Sequence, residues 1–189
     1  NDLGMDKVFI YKYNPASKNE ILTLKGSVDV KPGSGPRHLT FSKDGKFVYL
    51  IQELDATLTT FSYDKTGSLK QIAATSILPK EFKGGTGAAA IKISPDGNFL
   101  YVSDRVDANS ITVYKVLKNG SIELVEQQST LGKGPRDFSI DPTGNYLLVG
   151  HQYTNDIVIF KRDIATGKLT DTGKRIQLCS PVGLVFTKI

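Results

Sequence analysis

Residues 88–125 read AAAIKISPDGNFLYVSDRVDANSITVYKVLKNGSIELV, and the same order of features occurs twice more in the chain. The related stretches are residues 35–72, GPRHLTFSKDGKFVYLIQELDATLTTFSYDKTGSLKQI, and residues 134–172, GPRDFSIDPTGNYLLVGHQYTNDIVIFKRDIATGKLTDT. Each has one glycine turn between two apolar runs and a second glycine turn further on, at Gly45 and Gly67, Gly97 and Gly120, and Gly144 and Gly167. Successive first turns are 52 and 47 residues apart, and successive second turns are 53 and 47 apart. Because the two landmarks shift together, the chain contains an internal repeat.

The runs between these turns predict β-strands. They are continuous and rich in β-branched and aromatic residues, which is typical of strands buried on both faces, and they lie at 47–51, 58–63, 99–102, 111–116, 146–149 and 157–161. Asp-Gly and Asn-Gly pairs suit the tight turns that join antiparallel strands. A repeat of about fifty residues with four antiparallel strands indicates a β-propeller blade. A β-sandwich also has short strands, but it does not predict the same order of landmarks three times.

The two ends of the chain do not hold complete repeats. Residues 8–13 align with the third strand of the later units, and residues 181–187 align with the first strand. We therefore predict one all-β domain over 1–189, an incomplete propeller arc with a partial blade at 1–34, full blades at 35–84, 85–133 and 134–180, and a closing strand at 181–189. Because propellers need at least four blades to close, we expect the C-terminal part of a longer protein. The open blade edges would be covered by further N-terminal blades or by self-association.

Composition narrows the class of partner. The formal net charge of +5 favours anionic partners. The basic residues are scattered and do not alternate with aromatic residues, so we expect no nucleic-acid partner. No stretch approaches the ~18 apolar residues of a membrane span, so we expect no membrane partner. With one cysteine, Cys179, and two histidines, His38 and His151, the chain predicts neither an internal disulfide nor a zinc site, and we expect no cofactor.

The repeat alignment predicts where a site would lie. In a propeller, residues just before the first strand of a blade and just after its second strand lie on one face, around the mouth of the central channel. Polar side chains occupy these positions and their charge differs from unit to unit, which favours a site over a scaffold role. They are Arg37, His38, Glu53, Asp104, Arg105, Arg136, Asp137, His151 and Gln152.

The chemistry of these side chains suits an anionic substrate. Arginines fork onto carboxylate or phosphate oxygens, a carboxylate among arginines can act as a base or orient water, and histidine can act as acid or base. We predict catalytic roles for Glu53, His38 and Arg105, and substrate-binding roles for Arg37, Arg136, Gln152 and Asp104, without a metal.

Structural interpretations of the same residues remain open. Arg37 and Arg136 could form ion pairs with Glu53 and Asp137 that only join blades. The carboxylates of Asp104 and Asp137 could serve as hydrogen-bond partners of turns or arginines. His151 could be a buried histidine without a part in catalysis.

The chain also resembles the seven-bladed propeller lactonase family, whose best-known activity is 6-phosphogluconolactonase. The resemblance rests on GPRHLTFSKDGKFVYLIQEL (35–54), SPDGNFLYVSDR (94–105), GKGPRDFSIDPTGNYLLVGHQ (132–152) and SPVGLVF (180–186). It implies that Arg37, Glu53 and Arg105, with His38 and Arg136 nearby, belong to the active site. It also implies that a further histidine of that site lies upstream of this chain, so that activity is expected of the complete protein.

The expected function is hydrolysis of a phosphorylated sugar lactone. Water would attack the lactone carbonyl with Glu53 or His38 as base, while arginines hold the phosphate or stabilise the oxyanion. The resemblance further implies carbohydrate metabolism in the pentose phosphate pathway, and a cytoplasmic location is expected. Two alternatives remain: cycloisomerisation of a carboxylated muconate at the same site, or a non-catalytic propeller with a flat, aromatic-rich mouth.

Overall fold

The computed structural model describes residues 1–64 and 66–187. Within these ranges the chain folds into fourteen β-strands and contains no helix, and thus no helix that could cross a membrane. The strands are β1 (Lys7–Tyr13), β2 (Leu22–Asp29), β3 (Pro36–Phe41), β4 (Phe47–Gln52), β5 (Thr57–Tyr63), β6 (Leu69–Ser76), β7 (Ala88–Ile93), β8 (Phe99–Asp104), β9 (Ser110–Val116), β10 (Ile122–Ser129), β11 (Pro135–Ile140), β12 (Tyr146–His151), β13 (Asp156–Arg162) and β14 (Leu169–Gln177).

Each predicted full repeat contains one four-stranded sheet. The sheets are β3–β6, β7–β10 and β11–β14, in which every strand pairs antiparallel with its neighbour in sequence. A two-stranded sheet of β1 and β2 precedes them. The first strands β3, β7 and β11 lie next to one another, which brings the inner edges of the three sheets together. These features confirm the predicted propeller arc of four-stranded antiparallel blades.

The second strand of the blade forms the centre of the core. All six residues of β8 are buried, and in β4 the five residues after Phe47 are buried. A strand in this position is covered by sheet on both faces, which explains why its sequence is a continuous apolar run rather than an alternating one.

The same kind of joint connects the first full blade to the second and the second to the third. The Tyr49 hydroxyl donates to the Gly120 carbonyl at 3.1 Å, and the Tyr101 hydroxyl donates to the Gly167 carbonyl at 2.7 Å. A Cβ atom on either glycine would overlap the ring of Phe47 or Phe99 respectively, and both glycines have positive φ. The second turn of one blade therefore sits directly on the second strand of the blade before it.

The second joint contains a buried arginine that the sequence analysis did not single out. Arg162 is 2% exposed, and its guanidinium donates to the Tyr101 hydroxyl at 2.7 Å, the Gly144 carbonyl at 3.0 Å and Asp96 Oδ2 at 2.8 Å. Because this guanidinium is buried and bonds to groups of both blades, Arg162 joins the second full blade to the third.

The C-terminal segment differs from the prediction of a closing strand. Residues 181–187 form no strand. The Leu184 amide instead donates to Asp137 Oδ2 at 2.9 Å. Residues 188 and 189 of the predicted strand lie outside the described residues.

Candidate active site

The two Gly-Pro-Arg sequences place an arginine at a β-bulge. In the first sheet Pro36 pairs with Gln52 and His38 with Ile51, so Arg37 is the extra residue. In the third sheet the same irregularity falls between Pro135 and Asp137, at Arg136. A bulge turns one side chain out of the regular alternation, and here it does so at the start of the innermost strand.

Glu53 follows β4 at the same mouth and contacts two arginines. Its Oε2 accepts a hydrogen bond from Arg37 Nη1 at 2.8 Å, and its Oε1 accepts one from Arg105 Nη2. The side chains of all three residues are only 15–16% exposed. Since Arg105 follows β8 of the next blade, this ion-pair cluster spans two blades.

The backbone around the cluster is also fixed. The Glu53 amide donates to the Gly35 carbonyl at 2.8 Å, and the Ala88 amide donates to the Glu53 carbonyl at 3.2 Å. Arg37 Nε donates to the Ala89 carbonyl at 2.8 Å. An arginine has five N–H donors, so Arg37 and Arg105 keep donors beyond those used here.

Two cavities adjoin the cluster. The first, which we call the channel cavity, has a volume of about 600 Å³ and includes Arg37, His38, Lys92, Arg136 and Asp137 in its wall. The second, which we call the mouth pocket, has a volume of about 680 Å³ and is lined by Arg105, Val106, Asp107, Asn109, Lys133, Arg136, Gln152 and Tyr153. Arg136 borders both cavities, Arg37 borders the channel cavity and Arg105 borders the mouth pocket, whereas Glu53 itself lines neither.

His38 lies on the channel side of β3, where its side chain is exposed to the cavity. Partial desolvation, followed by the positive charge of Arg37, lowers the pKa of His38. The imidazole is therefore neutral near pH 7 and can accept a proton.

Gln152 also lies where the sequence analysis placed it. Its backbone N–H donates to the Gly134 carbonyl at 2.9 Å, and the residue lines the mouth pocket. Gln152 Oε1 is buried and has no hydrogen-bond partner among the described residues. A buried oxygen of this kind is costly unless a ligand group or water donates to it.

Asp104 does not reach either cavity. The residue is fully buried, and its carboxylate accepts the Gly87 amide at 2.9 Å and the Val106 amide at 3.2 Å. Burial raises the pKa of Asp104. The structure therefore favours the alternative in which Asp104 holds turns, and not the predicted role in substrate binding.

The structure supports some of the other structural interpretations and not all of them. Arg37 does pair with Glu53, whereas Asp137 pairs with Lys92 at 3.3 Å rather than with Arg136. His151 is fully buried, with Nδ1 3.1 Å from Asp156 Oδ1, and burial lowers its pKa. This complete burial favours the interpretation of a buried histidine without a part in catalysis.

Lys133, Asn109 and Tyr153 line the mouth pocket but were not predicted. Lys133 stands directly before Gly-Pro-Arg, so its position in the sequence gave a signal for it. Asn109 and Tyr153 belong to connections after second strands, where the sequence alone does not tell how far a loop folds over the mouth.

The fold defines an arc of a β-propeller, and arginines gather at the mouth on one of its faces. The chain belongs to the family of seven-bladed β-propeller lactonases, whose family model matches residues 1–186.

Relatives agree with this assignment. A protein of Formosa agariphila named 6-phosphogluconolactonase is 42% identical over 171 residues, which are 89% of this chain and 48% of that protein. A Bacillus subtilis protein of the same name is 36% identical over 187 residues, which are 98% of this chain and 52% of that protein. The solved structure of the periplasmic gluconolactonase of Pseudomonas aeruginosa gives a TM-score of 0.94 at 37% identity, over 99% of this chain and 52% of that one. This chain thus spans about half the length of the relatives that it matches.

Proposed function

We propose that the full-length protein containing this chain opens a sugar lactone by hydrolysis at the mouth of the propeller. The observation that carries the proposal is the cluster of Glu53 with Arg37 and Arg105, in which each arginine lines one of the two cavities. The names of the relatives, 6-phosphogluconolactonase and gluconolactonase, support the same reaction class.

The reaction follows from this arrangement. Water adds to the lactone carbonyl carbon, gives a proton to a base and produces a tetrahedral oxyanion. The free N–H groups of Arg37 and Arg105 stabilise that oxyanion because they are fixed in position before the charge develops. Collapse of the intermediate breaks the bond to the ring oxygen, which takes up a proton, and the product is an open hydroxy acid.

Two groups can take the proton from water. His38 is suited because its imidazole is neutral near pH 7 and faces the channel cavity. Glu53 is the second candidate, because a carboxylate has about four lone-pair positions and the two arginines occupy only two of them. In that case Glu53 both holds the arginines and accepts the proton.

A non-catalytic binding propeller fits the mouth less well. That alternative predicts a flat, aromatic-rich surface, whereas Tyr153 is the one aromatic residue among the described residues that line the two cavities. A muconate cycloisomerase would use the same arginines for carboxylates, and the substrate test below separates it from a hydrolase. A cytoplasmic location remains a prediction.

The test is a substrate comparison with the full-length protein. We expect acceleration of the opening of glucono-1,5-lactone or its 6-phosphate, followed by acid release at constant pH after subtraction of the spontaneous rate. A carboxymuconate should be left unchanged. Opening of both lactones at the spontaneous rate would overturn the proposal, and consumption of the muconate alone would replace it with the cycloisomerase.

A further inference from the structure

The basic side chains around the mouth fall into two pairs. Arg37 and Arg105 share Glu53 as their ion partner. Arg136 and Lys133 form no ion pair with any residue that the structure describes, and both line the mouth pocket. The second pair therefore has its charge available for a ligand, while the first pair is bound to the catalytic carboxylate.

The segment that carries the second pair runs from Lys133 into the start of β11, and hydrogen bonds hold it in place. The Gly134 amide donates to Asn109 Oδ1 at 2.7 Å, and the Tyr153 amide donates to the Lys133 carbonyl at 3.1 Å. The Lys133 amide donates to Thr154 Oγ1 at 3.1 Å. Gly134 has φ of +71°, and a Cβ atom there would lie 2.6 Å from the Tyr153 ring, so the ring packs directly over the loop. A fixed loop lowers the entropy cost of binding.

The charge balance of the mouth pocket favours an anion. Among the lining residues Asp107 has the one carboxylate, and its Oδ2 accepts the Gly85 amide at 2.6 Å. At the corresponding joint before the first full blade, Asp6 Oδ1 accepts the Gly35 amide at 2.8 Å. Asn109 makes the equivalent bond to Gly134 without a negative charge.

We propose that the mouth pocket binds the phosphate of a phosphorylated sugar lactone, with Lys133 and Arg136 as its ligands. Arg136 can fork onto two phosphate oxygens, and Lys133 supplies a second charge. Arg105 lines the same pocket and also contacts Glu53, so the phosphate would bind next to the reacting end. This inference rests on the proposed function and assigns its substrate class.

The test is a comparison of two lactones in full-length Lys133→Gln and Arg136→Gln variants. For the 6-phosphate we expect KM to rise by about tenfold in each variant with kcat within twofold. The lost contact to the phosphate stabilises the bound substrate and the transition state equally, so its removal changes KM and not kcat. For unphosphorylated glucono-1,5-lactone, KM should stay within twofold in Lys133→Gln, because Lys133 lines only the mouth pocket. Lys118→Gln is the matched control, because Lys118 is an exposed lysine in a turn at the end of the blade opposite the mouth. Equal changes for the two lactones, or no change for the 6-phosphate, would overturn the phosphate assignment.

A second measurement separates this inference from the lactonase proposal. Inorganic phosphate, followed by ³¹P line broadening, should bind wild-type protein and lose about tenfold in affinity in Lys133→Gln but not in Lys118→Gln. This result supports the subsite even if neither lactone is opened. Unchanged phosphate binding in Lys133→Gln shows that the pocket is not the subsite.

Discussion

One carboxylate at the propeller mouth holds two arginines from neighbouring blades. Exposed ion pairs contribute little, but Glu53, Arg37 and Arg105 are each about one-sixth exposed, so water screens them much less. Removal of Glu53 would leave two poorly solvated guanidinium groups without a partner. The same contact therefore fixes the geometry of the site and joins the first two full blades.

His38 gives the site a defined dependence on pH. The pKa of His38 lies below its ordinary value of 6.5, so the imidazole is neutral above that lowered pKa and becomes protonated as the pH falls through it. The charges that act on it come from Arg37, Asp137 and Lys92. If His38 is the base, kcat/KM should decline on the acid side with a midpoint below pH 6.5.

The test is the pH profile of His38→Gln in the full-length protein. We expect the acid decline to disappear and the rate near neutral pH to fall by roughly 10²–10⁴, the usual contribution of a general base. An unchanged profile in the variant would assign the proton transfer to Glu53.

Residue types at the mouth could be predicted, but their individual contacts could not. Aligning the repeats brought Arg37, Glu53 and Arg105 to one face, because each stands at a fixed place relative to a strand. The alignment could not tell that Asp104 is buried, since β8 extends to this residue and is buried along its whole length. Nor could it show that Asp137 pairs with Lys92 and leaves Arg136 available.

At the level of elements, the joint between blades depends on glycine. Gly120 has φ of +81° and lies against the Phe47 ring, while its carbonyl accepts the Tyr49 hydroxyl. Burial raises the pKa of Tyr49 to about 12, so this hydroxyl stays a donor throughout the physiological range. A side chain on Gly120 would force the two blades apart.

Gly120→Ala should therefore lower the free energy of unfolding by about 2–4 kcal/mol, from positive-φ strain and overpacking together. Gly45→Ala is the matched control, because Gly45 also has positive φ (+69°) but nothing lies within 4 Å of its Cβ position. It should lose only about 1–2 kcal/mol. Urea unfolding of the full-length proteins measures both, and equal losses in the two variants would contradict the described joint.

Strand positions could be predicted because the strands are continuous apolar runs bounded by glycine turns. The bulges at Arg37 and Arg136 could not, since the two-residue periodicity of a strand does not show where an extra residue is inserted. The closing strand predicted at 181–189 depends on a partner strand, and a repeat alignment assigns a strand whether or not its partner is present.

For the whole molecule, the arc leaves apolar side chains uncovered at both ends. Tyr11 and Tyr13 are exposed at the start, and Tyr146, Ile176 and Phe186 are exposed on the last blade. Repetition of one unit could predict that the blades form an arc, because each blade buries its face only against the next. The sequence could not show how the loops at the mouth enclose the two cavities, because this depends on side-chain packing between blades.

The most direct measurement is turnover of glucono-1,5-lactone and its 6-phosphate by the full-length protein, as wild type and as Glu53→Gln. The glutamine keeps the size of the side chain but loses the charge, and its NH₂ group would face one of the two arginines. We predict a fall in kcat/KM of about 10²-fold or more on whichever lactone the wild type opens, with circular dichroism showing a folded variant. A folded Glu53→Gln protein with kcat/KM within twofold of wild type would contradict the account.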